Sequence, residues 1–226
     1  MTFTEPLVGL FTHSRLLVLD FAKIPPDTPP SQSMQSFFER TQAAGKDPRS
    51  PENRQAFNDQ LLRKSGSRYL VSQYGEDRSA MLQGSSIAAE GRVLHLGIDI
   101  FCQDLEVVYA PCTGRIVRVG QEKDAHSFGH YCILQPEGET FYIFLGHLAK
   151  ALPQPGIVQA GQPIGRLGDF HGNENGGWSR HLHLQLLSSL PPESKAPIGY
   201  SSVNDFQASQ QQYPDPMQLF PEWKIL

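Results

Sequence analysis

Two histidines stand two residues apart in the run Arg180-His181-Leu182-His183-Leu184-Gln185-Leu186. In an extended strand that spacing puts both imidazoles on one face and turns Leu182 toward the other. A second group, His95-Leu96-Gly97-Ile98-Asp99, carries an aspartate four residues after a histidine, and His147 stands in the strand-like run Tyr142-Ile143-Phe144-Leu145-Gly146-His147-Leu148. One aspartate with two or more neutral imidazoles is a donor set suited to Zn²⁺, held tetrahedrally with one position left for water. The competing reading is a scatter of surface or satisfied core histidines.

The metal reading puts a demand on the backbone. In one straight strand His95 and Asp99 would share a face but lie ~13 Å apart, too far for one ion with bonds of ~2.0–2.2 Å. A helix would bring them together, but Gly97 and the flanking Ile98 and Ile100 disfavour one. A bend or bulge at Gly97 lets the pair converge.

The elements that must carry these residues are mostly strands. Leu94 to Phe101, Glu106 to Tyr109, Gly114 to Val119, Tyr131 to Leu134, Thr140 to Leu145 and His181 to Leu186 read as strands separated by turn residues, and Pro163 to Gly168 as a short strand ending in a turn. The expected fold is mainly β, a compact antiparallel sandwich or barrel, with an N-terminal helical extension. Val18 to Phe21 is a strand or a helix turn, and Pro25 to Pro30 is extended. Two helices follow. Ser33 to Ala44 ends at Gly45; the second opens on Ser50-Pro51-Glu52, a cap, a first-turn proline and an acid, and ends at Gly66. Asp169 to Gly177 is a polar loop leading into the histidine strand. From Pro191 the chain reads as an irregular tail.

Composition narrows the function classes. A net charge of -4 over 226 residues gives no electrostatic case for nucleic acid. No apolar run approaches the ~20 residues of a membrane span. Leu16 to Leu19 is too short for a signal h-region, and the basic n-region is missing, so the expected location is cytoplasmic. Cys102, Cys112 and Cys132 show no metal or redox spacing and read as reduced, buried residues.

Several motifs, in order, resemble the lysostaphin-like (LytM-type) zinc endopeptidases. His95-Leu96-Gly97-Ile98-Asp99-Ile100 is similar to the family's HxGxDI, and Thr113-Gly114-Arg115-Ile116-Val117 to its paired strands around DGxV. Tyr142 to Leu148 resembles TxYxHL, Gly161 to Gly165 resembles GxxIG, and Arg180 to Gln185 resembles PHLHFE. Tyr74 to Arg78 sits where FGxR often stands. The resemblance covers roughly Tyr69 to Leu187 and implies a duplicated hybrid β motif. It divides the chain into an extension over 1–67, a zinc peptidase domain over 68–190 and a tail over 191–226 packed on it.

The resemblance implies roles. His95, Asp99 and His183 would hold one Zn²⁺ per chain. His181 would act as general base and His147 as a second catalytic histidine. The substrate would be a peptide, of glycyl or D-amino-acid peptidoglycan type. Trp178, Arg78 and Glu76 are candidates for touching it, while His13, His126, His130 and His171 read as surface or turn residues. The chain also departs from the pattern: Arg180 replaces the proline that usually precedes HxH, and Leu184-Gln185 replaces Phe-Glu. The stretch Asn175-Gly176-Gly177-Trp178 is similar to the branch fused to class-III aminotransferases. The alternative function is a non-catalytic zinc-containing module that binds or regulates a partner enzyme.

Overall fold

A strand that alternates histidine and leucine needs a core on one side only, and the sheet supplies it. The computed structural model describes residues 16–18 and 34–220. Among them, the strands of the largest sheet lie in the spatial order β1 (Leu16–Val18), β2 (Tyr69–Val71), β4 (Ile98–Phe101), β11 (His181–Leu187), β8 (Tyr142–Leu148), β7 (His130–Pro136), β6 (Gly114–Gln121) and β9 (Gly156–Val158). β1 runs parallel to β2, and every other pairing in this sheet is antiparallel. Two small antiparallel sheets flank it: β5 (Val107–Tyr109) with β10 (Pro163–Arg166), and β3 (Arg92–His95) with β12 (Tyr200–Ser202). The protein is therefore mainly β and predominantly antiparallel, as expected.

β11 sits between β4 and β8, and both of its faces are buried. Leu182, Leu184 and Leu186 enter the main core with Ile98, Ile100, Ile143 and Leu145. Burying each such side chain stabilises the fold by about 1.5–3 kcal/mol before entropy is counted. The alternate residues His181, His183 and Gln185 take the opposite face. Cys102, Cys112 and Cys132 are free and buried.

The expected strand from Leu94 to Phe101 is two strands in different sheets, β3 and β4, with the break at Leu96-Gly97. Gly97 is needed there for space. A β-carbon on it would lie 2.5 Å from Cε1 and 2.7 Å from Nε2 of His183, and 2.7 Å from the Leu184 carbonyl oxygen.

Both N-terminal helices form, as α1 (Met34–Ala43) and α2 (Pro51–Ser65). In α2 the Ser50 side chain accepts from the Asn53 amide, Pro51 opens the first turn, and Gly66 closes the last at φ 63°. Phe37 stacks on Phe57 at 4.5 Å, joining the two helices. Leu62 packs α2 onto Leu70 and Phe101. Two single-turn helices, α3 (Ser79–Leu82) and α4 (Ser86–Ala89), precede β3.

The tail differs from the irregular segment expected over 191–226. It holds β12, the helix α5 (Phe206–Gln212) and a 3-10 turn at Pro216–Leu219. A three-residue strand has too few positions to show a period, and its stability comes from pairing with β3. The expectations for Pro25 to Pro30, Leu19 to Phe21 and 221–226 lie outside the described residues.

Candidate metal centre and active-site groove

Five side chains from four strands converge on one face of β11. His183 is paired with Asp99 of β4 on one side and Gly146 of β8 on the other. His95 ends β3 and reaches the same point across the Gly97 break. His147 arrives by a bulge: three steps on β8 (Leu145 to Leu148) face two on β7 (Cys132 to His130). His147 itself has φ 64°, a left-handed conformation that costs a non-glycine residue about 1–2 kcal/mol. The four histidines and Asp99 are each at most 4% exposed, so water does not screen their interactions.

The polar atoms form a tight set. Asp99 Oδ1 lies 3.0 Å from His183 Nδ1, 3.5 Å from His95 Nε2 and 3.5 Å from His181 Nε2. His95 Nε2 and His183 Nδ1 are 3.2 Å apart. Ligands about 2.0–2.1 Å from a tetrahedral ion lie about 3.3 Å from one another. The triangle of His95, Asp99 and His183 is already at that spacing, and these residues fit a zinc ion.

Hydrogen bonds fix which ring nitrogens carry protons. His147 Nδ1 donates to the Asn175 carbonyl at 2.8 Å, and His181 Nδ1 to the Ser179 carbonyl at 2.6 Å. A carbonyl only accepts, so both rings keep Nε2 as the free lone pair. The Gln185 amide donates to the Ile198 carbonyl at 3.0 Å, which turns its Oε1 to His183 Nε2, also at 3.0 Å. His183 Nε2 is then the protonated atom, and Nδ1 faces Asp99. His95 Nδ1 is buried with no hydrogen-bond partner among the described residues, leaving Nε2 toward the cluster.

Electrostatics favour neutral rings around one anion. Burial holds His95 and His147 well below the usual imidazole range and lowers His181 to about 4. Burial alone would raise the Asp99 carboxyl. The imidazoles of His95 and His181 and the Arg78 guanidinium instead hold it well below the usual carboxylate range. Arg78 is ion-paired to Asp99 Oδ2 at 2.9 Å, and its Nε is in contact with the Glu76 carboxylate.

That chain corrects the placement of two candidates. Arg78 and Glu76 were expected at the substrate; they lie behind Asp99, 2% and 5% exposed, and do not line the groove. The alternative reading, a surface ion pair, is right about the pairing and not about the surface: Glu76 and Arg78 are paired and buried. Trp178 does line the groove, a cleft of about 370 Å³ whose floor holds Asp99, His147, His181 and His183. The segments 122–128 and 194–200 form its walls. His126, exposed in a turn as expected, also forms part of one wall, its ring centre 5.2 Å from that of Trp178 in an edge-to-face arrangement.

Sequence reasoning missed the residues that hold the histidines. Asn175 is fully buried; its side chain accepts from the amides of Gly177 and Trp178 and donates to the carbonyls of Gly168 and Trp178. Tyr200 lies opposite His95 in the β3–β12 pairing, rings 5.5 Å apart. A cluster of turn-forming residues before HxH was the one available signal for Asn175; nothing in the sequence pointed to Tyr200.

The sequence model of peptidase family M23 matches residues 93–194, which include all five converging residues. Bovine (Bos taurus) leukocyte cell-derived chemotaxin-2 is 30% identical over 120 residues, covering 48% of this chain and 70% of its own. The mouse (Mus musculus) protein of the same name is 32% identical over 101 residues, 43% of this chain and 63% of its own. Among solved structures, lysostaphin from Staphylococcus simulans is 26% identical, covering 51% of this chain and 44% of its own, with a TM-score of 0.38. A zinc-containing peptidase from Vibrio cholerae is 26% identical, covering 47% and 31%, with a TM-score of 0.36. The match thus spans less than half of these two peptidase chains.

Proposed function

This chain belongs to peptidase family M23, and we propose that it is a zinc-dependent metallopeptidase that cleaves an amide bond in a peptide of peptidoglycan type. One observation carries the reading: three donor atoms 3.0–3.5 Å apart, with two further imidazoles whose free Nε2 atoms are set by backbone carbonyls. In this reading His95 Nε2, Asp99 Oδ1 and His183 Nδ1 hold the ion. Zinc, when bound, polarises the scissile carbonyl and makes water a nucleophile near neutral pH.

The protein's own groups do the rest. His181 Nε2 is unprotonated at neutral pH because burial has lowered its pKa to about 4, so it can take the proton from the attacking water. The proton taken by His181 passes by way of His147 Nε2, whose ring centre lies 4.3 Å from that of His181, to the leaving amine, which restores both rings to the neutral form. Both rings keep their Nδ1 protons throughout, held by Ser179 and Asn175. A peptide substrate of glycyl or D-amino-acid type is proposed from the family alone.

A second reading has one observation in its favour: the two curated relatives carry the name of a chemotaxin, and that name describes no hydrolysis. In that reading the chain holds zinc and acts by binding. The test is incubation of zinc-reconstituted protein with cross-linked muropeptides and short glycyl peptides beside a His181→Ala variant. Cleavage lost in the variant, with zinc retained, supports the peptidase. Identical behaviour of the two proteins on every amide substrate sinks it.

A further inference from the structure

The helix α2 lies outside the M23 match, yet it grips the three residues that lead into His181. Its residues 54, 55 and 58 share one face. The Arg54 guanidinium lies 4.7 Å from the Trp178 ring centre. Asn58 Nδ2 reaches Ser179 Oγ at 3.5 Å. Gln55, 5% exposed, accepts from the Arg180 amide at 2.7 Å and donates to the Cys102 carbonyl at 3.0 Å.

Those two backbone groups sit where the β4–β11 ladder ends, one step beyond the pair His181–Phe101. A side-chain amide has thus taken the place of the next rung. The position is also one where this sequence departs from the motif that it resembles, with Arg180 in place of proline. A proline at 180 would carry no N–H and would hold its own φ. Arginine has both a free torsion and a donor that must be satisfied when buried.

We propose that α2 is a positioning element of the active site. Gln55, through the Arg180 amide, holds the Ser179 carbonyl where it keeps His181 protonated on Nδ1. The proposal rests on the peptidase reading only for its kinetic consequences. Gln55 touches no substrate; it acts through Arg180 and Ser179.

The test uses the full chain with zinc. Gln55→Leu removes the bonds to Arg180 and Cys102 together with a third, from Gln55 Nε2 to Asp59 Oδ1 at 2.8 Å; Gln55→Glu keeps the acceptor for Arg180 and is made with Asp59→Asn, so that no carboxylate faces the new one. In Gln55→Leu the Arg180 amide is expected to exchange with solvent about tenfold faster, and ¹⁵N NMR to show His181 losing its pure Nδ1–H tautomer, with zinc stoichiometry unchanged. Gln55→Glu keeps the Arg180 exchange rate within about threefold. Turnover falls in kcat, with KM within about threefold, because the substrate walls are untouched.

Arg180→Pro supplies a background without the donor. It also removes the Arg180 side-chain bonds to Gln103 and Asp169, so the comparison is made within it. There, adding Gln55→Leu has no further effect on the tautomer. Unchanged exchange and tautomer in Gln55→Leu, or equal losses in the single variant and in the proline background, overturn the proposal. Exchange and tautomer are read without substrate, so they decide the matter even if no amide substrate is cleaved.

Discussion

His147 Nδ1 donates to the carbonyl of Asn175 across 28 residues of chain, at 2.8 Å, from a backbone held at φ 64°. The loop 169–177 therefore does more than border the groove. Its buried end decides which nitrogen of a catalytic candidate is free, and the bulge on β8 decides where that nitrogen sits.

The backbone at 147 separates strain from chemistry. Glycine adopts that torsion freely, whereas alanine does not. Both His147→Gly and His147→Ala are expected to abolish turnover. In urea unfolding of the metal-free protein, the glycine variant should be the more stable of the two by about 1 kcal/mol. Equal stability would mean that the left-handed conformation carries no strain.

Gly97 is required by the ring of His183. A β-carbon at 2.5–2.7 Å from that ring has to push it away from Asp99. Gly97→Ala should weaken zinc binding at least about tenfold in a competition with a colorimetric chelator, the penalty typical of disturbing a ligand's support. Retained affinity would show that the ring and strand can both shift at little cost.

Arg78 holds the outer oxygen of Asp99 and neutralises Glu76. Replacing it with leucine leaves two buried carboxylates without their common partner, a loss of about 3–5 kcal/mol in denaturant unfolding. Arg78→Lys keeps the charge but loses the fork, and should recover part of it. A loss below about 1 kcal/mol for the leucine variant would contradict a buried ion-pair chain.

Acid should destabilise the metal-free protein well before its carboxylates are titrated. His95, His147 and His181 have folded pKa values below the ordinary 6.5, with His181 at about 4. Above pH 6.5 both states are neutral and full stability is present. Below it the unfolded chain takes up protons that the folded chain refuses, so stability falls as pH drops. For His181 alone the loss between pH 6.5 and 4 is on the order of 3 kcal/mol. Glu76 pulls the other way, because burial raises its carboxyl to about 7. His126 and His130 are also lowered by burial, and Glu122 and Asp215 also raised; five histidines against three carboxyls give a net fall on acidification. Thermal unfolding between pH 7 and 5 checks it; a rise in midpoint on acidification would overturn the assignment of neutral rings.

What the sequence revealed and what it hid divide along physical lines. The histidines and Asp99 were legible because metal chemistry restricts both residue type and spacing. α2 was legible from its caps, and β11 from its alternation. At Gly97 the expected bend is present, between β3 and β4, and the crowding by the His183 ring is a second reason for glycine that the sequence did not show. Arg78 and Glu76 misled because a charged run carries no sign of which way it faces. Asn175, Gln55 and Gln185 were hidden as supports: Gln55 acts on partners far along the chain, and all three are amides, which look the same in a sequence whether they bond water or a backbone.

The parity of β11 has a consequence for folding. Its leucines belong to the core and its histidines to the groove, so slipping the strand by one residue against β4 and β8 would exchange the two sets. A slipped chain would bury imidazoles among aliphatic side chains and turn leucines toward Asp99. Only the native alignment gathers a donor set, so any cation captured there rewards that alignment alone. The metal site would then serve as a proofreader of strand register, and zinc present during refolding should raise the yield of correctly paired protein.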